Sequence, residues 1–313
     1  MEKIAVIGDV MLDAYYYGES KFNPESSEKN QIPARLNVRT EYHPGGAGNV
    51  AANLSELKCD FLLVGLVGAD PMSHVLRERL EKANINHHLI LDETRPTIVK
   101  QRYFLISTGK NELRWDFEEK HPASEEKTEK ILAIVHDYDI ILISDYNKGI
   151  VTRNLIRSLI ESGKKVIADT KPHHMDFFEG AFLVKPNIRE AREKTLLENE
   201  LEAAESLRNI LHTRILLTRG EQGMSYFGIP GDEPLRIDIA AYKPRSRTFV
   251  DVIGAGDSGI SALTAFLAKD YGLKTAILAA NTSAGISVTH PGCYPVSEKE
   301  IIKAFIEQGL ELS

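Results

Sequence analysis

The sequence predicts an α/β fold, a three-layer sandwich around a mostly parallel, doubly wound sheet, with a small β lid beside it. Three observations carry that expectation. Short apolar runs rich in β-branched residues alternate with amphipathic stretches from end to end of the 313 residues. The runs are continuously apolar rather than alternating, as strands buried on both faces are. Two segments, about 14–42 and 95–118, break the alternation and read as antiparallel strands projecting over a cleft. The whole of 1–313 reads as one domain, with no repeat, low-complexity run or linker.

In order, strands are expected at 4–7, 61–67, 140–144, 165–169, 182–184, 215–218 and 224–227. The first follows Met-Glu-Lys and is too short an apolar block for a signal peptide. Helices are expected at 48–57, 72–82, 125–136, 153–162 and 202–211, then at 257–269, 273–289 and 297–308. The helix from 257 rests on Ile260, Leu263, Thr264 and Leu267 at helical spacing. In the lid, Ile98, Lys100, Arg102 and Phe104 alternate up to a turn near Gly109-Lys110-Asn111, and the chain returns through Leu113 and Trp115.

A net charge of −7 argues against nucleic-acid or anionic-membrane partners. No apolar run approaches the ~20 residues that span a bilayer. Two cysteines, Cys59 and Cys293, form neither a disulfide framework nor zinc spacing, which suits a reducing cytoplasm.

The chemistry is concentrated in Asp251-Val-Ile-Gly254-Ala255-Gly256-Asp257. A tight glycine turn feeds a helix start, where free N–H groups and the dipole suit a transferring phosphoryl group. Asp257 then stands where a general base takes a proton from an attacking hydroxyl. An acid in a first turn is most often a cap, but a cap needs no Gly-Ala-Gly before it. The run also matches GxGxxG, but the segment after it is helical, with no second strand to complete a dinucleotide site.

Further candidates sit after predicted strands. Asp9 and Asp13 follow the first, where an acid can accept from sugar hydroxyls or serve as a loop carboxylate. Gly45-Gly46-Ala-Gly48-Asn49 is a second glycine turn entering a helix, with Asn49 both donor and acceptor. Asn187 and Glu190 have capping-box spacing, and could instead organise Mg²⁺ through water. The turn from Thr218 through Gly220 to Gly223 reads as a hairpin or as a nucleotide wall. Lys100, Arg102, Arg114, Lys148 and Lys171 cluster on the lid or at strand ends, where they suit a phosphorylated substrate. There is no P-loop, protein-kinase signature, HExxH or GxSxG.

Taken together, the Gly45-Gly46, Asn187-x-x-Glu190 and Gly254-Ala-Gly256-Asp257 motifs, in this order and spacing, resemble the PfkB/ribokinase family of carbohydrate kinases. The resemblance spans essentially the whole chain and implies a ribokinase-like sandwich with a β lid, MgATP, and phosphoryl transfer to a sugar hydroxyl. It makes Asp257 the base and Gly254, Ala255 and Gly256 the anion hole. Asn187 and Glu190 become Mg-nucleotide residues, while Asp13, Gly45, Gly46 and Asn49 face the sugar. Thr218, Gly220 and Asn281 fall on the nucleotide side. Some members also need a monovalent cation such as K⁺.

Within the family, Gly8-Asp-Val-Met-Leu-Asp13, Asn23-Pro-Glu25, Arg95-Pro-Thr97, Arg114-Trp-Asp-Phe-Glu118, Ser144-Asp-Tyr146 with Lys148-Gly149, and Thr218-Arg219 with Gln222-Gly-Met224 are similar to D-glycero-β-D-manno-heptose 7-phosphate kinases. That likeness implies formation of the 1,7-bisphosphate for ADP-heptose and the lipopolysaccharide core. The H-x-G-H motif of the nucleotidyltransferase domain often fused to these kinases is absent, so a separate partner is expected to transfer adenylate. Asn23–Glu28 is more polar than the usual lid segment, and Lys185 stands where a small or apolar residue is commoner. Another sugar or nucleoside kinase is the alternative, then a non-catalytic sensor on the same fold, then a nicotinamide dehydrogenase. Tyr15-Tyr-Tyr17 on an exposed lid points to a homodimer.

Overall fold

The computed structural model describes residues 1–22, 33–107, 109, 111–244 and 251–310. The polar lid stretch at 23–28 and Lys110 of the lid turn lie outside the described residues.

The chain opens with β1 (Ile4–Gly8), and after one residue β2 (Val10–Phe22) leaves for the lid and β3 (Pro33–Gly46) returns. Next come α1 (Ala47–Glu56), β4 (Phe61–Val67), α2 (Pro71–Lys82) and β5 (His87–Leu91). A second excursion forms β6 (Val99–Leu105) and β7 (Asn111–Phe117). The middle of the chain runs α3 (Glu125–Ile134), β8 (Ile140–Ser144), α4 (Arg153–Glu161), β9 (Lys165–Asp169), β10 (Leu183–Val184), α5 (Ile188–Thr195), α6 (Glu200–Leu211) and β11 (Arg214–Thr218). It closes with β12 (Met224–Phe227), β13 (Arg236–Ile239), α7 (Ala255–Ala268), α8 (Leu273–Ser287) and α9 (Glu298–Gln308).

Nine strands form one sheet in the order β13-β12-β11-β10-β9-β8-β1-β4-β5. The run from β11 to β5 is parallel, and β12 and β13 add an antiparallel edge. Strand order reverses around β1, so the carboxyl ends of β1 and β8 open a crevice of the kind that holds ligands in such sheets. Successive residues point to opposite faces, which divides the core in two. Ile4, Val6, Leu63 and Leu142 pack with α1, α2, α7, α8 and α9. Ala5, Ile7, Val64 and Ile141 pack with α3, α4, α5 and α6. The three layers match the expected fold class.

Strands expected at 61–67, 140–144, 165–169 and 224–227 occupy those residues. Three elements were not read from the sequence. His87-His88 opens β5 and hides its apolar run, while β13 alternates at the sheet edge through Arg236 and Asp238. Helix α5 buries only Glu190 and Ala191, so it shows no apolar stripe; its signal was the capping box at its start.

The lid is a four-stranded sheet in the order β3-β2-β6-β7. The expectation of purely antiparallel lid strands is corrected: β2–β3 and β6–β7 are antiparallel, but β2–β6 is parallel. The cause is topological. Both β2 and β6 start beyond strands of the main sheet that run in one direction, and so both travel outward from its carboxyl edge. In this register Asp13 lies beside Lys100 and Lys100 beside Asp116, with Tyr15, Arg102 and Arg114 in the next row of the same face.

Candidate active site

Helix α7 begins at Gly254, whose φ of 75° is left-handed and favours glycine. A Cβ there would also lie 3.0 Å from both Asn49 Nδ2 and Cys293 Sγ. From Asp257 onward every residue of α7 is buried. Small residues allow this: Ser258 hydrogen-bonds Ser283 of α8 at 2.7 Å, and Gly259 lies against the Ala280 carbonyl. The first turn therefore stands at the end of a rigid, fully packed rod. Its amides lack intrahelical acceptors, as at any helix start, and Gly254, Ala255 and Gly256 line a cleft of about 750 Å³.

Asp257 is buried in that first turn. Its Oδ2 accepts from Asn49 Nδ2 at 2.6 Å and its Oδ1 from the Tyr146 hydroxyl at 3.0 Å. Burial, then the charge of Asp169, pushes its carboxyl up to about 6, while Asn49, Lys185 and Tyr146 act in the opposite direction. Lys185 is only 4% exposed and pairs with Asp169 at 2.7 Å, and its Nζ would lie 3.4 Å from a Cβ on Gly256. The site thus holds a buried carboxyl whose affinity for a proton is raised, a row of amides, and an ammonium beside them.

The cleft extends over the carboxyl ends of β9, β10 and β11. Thr218, Gly220, Gly223, Asn187, Glu190 and Asn281 all line it. Asn281 donates to the Ala240 carbonyl at 2.8 Å. Asn187 and Glu190 close a reciprocal capping box at the start of α5. Glu190 also accepts from Lys171 Nζ at 2.8 Å. Lys171, grouped with the sugar phosphate from its charge and its place at a strand end, also lines this cleft, two residues after Asp169 of β9.

On the lid side, Gly45 and Gly46 end β3, and Gly46 caps α1, the helix that carries Asn49. A Cβ on Gly45 would fall 2.2 Å from Asp13 Oδ2, so the glycine makes room for that carboxylate. The expected basic cluster is there, but each member is engaged by a carboxylate. Arg102 pairs with Asp13, and Lys100 with Asp116 at 3.1 Å and Glu118 at 3.5 Å. Arg114 pairs with Asp116 at 2.8 Å, and Lys148 with Glu118. Hydrogen bonding to Arg114 holds the Asp116 carboxyl down to about 2. Cys293, exposed at its surface, lies near both halves: loss of solvent around its sulfur, then the charges of Asp257 and Asp13, pushes its thiol up to about 12.

Tyr146, Asp169, Lys185 and Cys293 were not singled out as site residues. The usable signal for the first three was position, just after β8, at the end of β9 and just after β10. Asp9 is not free for a ligand; it accepts from the backbone N–H groups of Tyr146, Lys148 and Ile150. Among the described residues no group of three or more His, Cys, Asp or Glu side chains could hold a metal ion. Mg²⁺ keeps several waters and binds with nucleotide phosphates through few protein groups, and the side chains of Asn187 and Glu190 in this cleft offer oxygen atoms of the kind it takes. Among the described residues no helix is long and apolar enough to cross a membrane.

The fold has known counterparts. Among solved structures, phosphofructokinase-2 from Escherichia coli in complex with potassium superposes with a TM-score of 0.78 at 18% identity, covering 99% of this chain and 100% of that one. Arabidopsis thaliana ribokinase complexed with ribose and ATP gives 0.74 at 19%, over 97% and 98%. In sequence, the chain is 34% identical over 316 residues to the bifunctional protein HldE of Bradyrhizobium sp. (strain ORS 278), covering 96% of this chain and 62% of that protein. The corresponding protein of Shewanella sediminis is 35% identical over 96% and 63%. The chain thus spans somewhat under two thirds of the curated relatives it matches. The family model for pfkB carbohydrate kinases matches residues 1–300. The chain belongs to the pfkB family of carbohydrate kinases, enzymes that transfer a phosphoryl group to a sugar hydroxyl.

Proposed function

We propose that this sugar kinase acts on D-glycero-β-D-manno-heptose 7-phosphate, transferring the γ-phosphoryl group of ATP to its anomeric hydroxyl. The observation that carries the chemistry is the Asp257 carboxylate, buried in the first turn of α7 where the 750 Å³ cleft meets the lid face. Asp257 takes the proton of the attacking hydroxyl, and the amides of Gly254, Ala255 and Gly256 receive the transferring group. Lys185 adds positive charge beside them. Thr218, Gly220, Gly223 and Asn281 border the nucleotide, while Asp13, Gly45, Gly46 and Asn49 border the sugar. Mg²⁺, held through water by Asn187 and Glu190, neutralises charge on the β and γ oxygens when bound. A monovalent cation such as K⁺ is compatible with this scheme; the E. coli phosphofructokinase-2 neighbour is in complex with potassium.

The heptose reading is supported by the similarity to HldE proteins and by the lid. There Lys100, Arg102, Arg114 and Lys148 surround Asp13, Asp116 and Glu118, and a 7-phosphate competes with those carboxylates for the cations. The product is the 1,7-bisphosphate, a precursor for ADP-heptose and lipopolysaccharide, with a nucleotidyltransferase as a later enzyme and the cytoplasm as the compartment. Leu113, Trp115 and Phe117 leave an exposed apolar face on β7, which supports a homodimer through the lid, checked by solution mass from light scattering. The decisive test measures ADP release with MgATP across heptose, hexose and pentose phosphates and their unphosphorylated sugars. Preference for an unphosphorylated sugar would sink the heptose reading.

A further inference from the structure

We infer that Tyr146 is a positioning residue for Asp257: its hydroxyl, presented by a segment tied down by two buried carboxylates, orients the base and favours its ionised form while the acceptor hydroxyl arrives. This deepens the proposed function and rests on its assignment of Asp257 as the base.

The geometry is specific. Asn49 approaches Oδ2 of Asp257 from α1, and Tyr146 approaches from the end of β8, 3.0 Å from Oδ1 and 3.3 Å from Oδ2. Donors on both oxygens fix the carboxylate plane and still leave acceptor capacity on Oδ1. Burial and the charge of Asp257 raise the Tyr146 phenol well above its usual value, so the group remains a donor at any working pH. The other charged or titratable groups facing Asp257 are Asp169 at the end of β9, Lys185 after β10 and Cys293 after α8. Lys171 lies beyond the Tyr146 ring, 5.6 Å from its centroid.

The anchoring explains why two acids are buried where no ligand reaches them. Asp9 accepts from the Tyr146 amide at 2.8 Å and the Lys148 amide at 3.0 Å. Asp145 accepts from Thr170 at 2.6 Å, from the Asn147 amide at 2.8 Å, and contacts His174 Nδ1 at 2.8 Å. Gly149, at φ 107°, lets the segment pass the His121 carbonyl. A plain connecting turn would be solvated. This one is held from below, with its tyrosine directed at Asp257.

Tyr146→Phe keeps the ring and removes the donor. A lost hydrogen bond to a charged group raises the carboxyl's pKa, so the acidic limb of kcat/KM against pH should move up by about one unit. Near pH 6 turnover should then fall roughly fivefold further than it does above pH 8, where only the loss of orientation remains. A limb that does not move, or a loss equal at every pH, overturns the proposal. 3-Fluorotyrosine at position 146, a stronger donor that perturbs packing little, should move the limb the other way, and an unmoved limb there counts equally against it. Titration of the Asp257 carboxyl by ¹³C NMR reads the same shift without turnover. Retained turnover in Asp257→Asn would remove the base assignment, whereas unshifted NMR titration in Tyr146→Phe removes only the role of Tyr146.

Discussion

The side-chain amide of Asn49 donates to Oδ2 of Asp257 across 2.6 Å, although 208 residues separate the two. The bond joins the first turn of α1 to the first turn of α7. Ser261 Oγ donates to the Val50 carbonyl at 3.2 Å on the same pair of helices. Two glycine turns far apart in sequence therefore converge on one carboxylate, and the fold, not local sequence, assembles the site.

Asp257→Asn should lower turnover by roughly 10²–10⁴-fold, the usual worth of a general base. The isosteric amide leaves the cleft intact, so ATP affinity should stay near that of the unaltered enzyme. A coupled assay for ADP with calorimetric titration of ATP checks both. Unchanged turnover would remove the base assignment.

The same variant should be more stable at neutral pH. A carboxyl raised to about 6 binds its proton more readily folded than unfolded, so its charge penalises folding above that pH. The penalty fades as pH falls toward 4. A shift of this size corresponds to on the order of 3 kcal/mol. Urea unfolding should show Asp257→Asn stabilised at pH 7.5 and nearly neutral at pH 4; equal stability at both would mean that burial does not penalise this charge.

Gly45→Ala should damage the sugar side selectively. Its Cβ would fall 2.2 Å from Asp13 Oδ2, displacing the carboxylate from Arg102. Loss of a charge-assisted contact of this kind should raise KM for the sugar about tenfold and leave KM for ATP alone. Steady-state kinetics with each substrate varied in turn will tell, and a rise confined to ATP would place Asp13 elsewhere.

Glu118→Gln should tighten binding of a phosphorylated acceptor. Its carboxylate engages both Lys100 and Lys148, which hold its carboxyl below the usual range despite burial. Freed of it, both ammonium groups can reach the phosphate, for a fall in KM on the order of fivefold, roughly 1 kcal/mol. The KM of an unphosphorylated sugar should not follow. A higher KM would show that Glu118 orders the lysines rather than occupying them.

Much of the fold was legible because the parallel strands are buried on both faces and stay apolar throughout, as Ile140–Ser144 and Phe61–Val67 do. The start of α7 was legible because Gly254 needs a left-handed backbone that few other residues adopt. What escaped was set by register and strand order. The contact of Lys171 with Glu190 depends on the adjacency of β9 and β10. The pairing of Lys100 with Asp116 depends on the β6–β7 register. Tyr146 belonged to a string that marked the family likeness but gave no role; its place after β8 and the path of the segment around Asp9 direct it to Asp257.

The lid is spliced into the main body at two short joints. Asp9 alone separates β1 from β2, and β3 passes into α1 at Gly46 without a connecting loop. A Cβ at Gly46 would sit 2.3 Å from the Asp9 carbonyl, so the two joints touch. One joint fixes the tyrosine-bearing segment and the other begins the helix of Asn49. Both donors to Asp257 therefore hang from one junction between clasp and body, and the posture of the base is set where the two sheets meet.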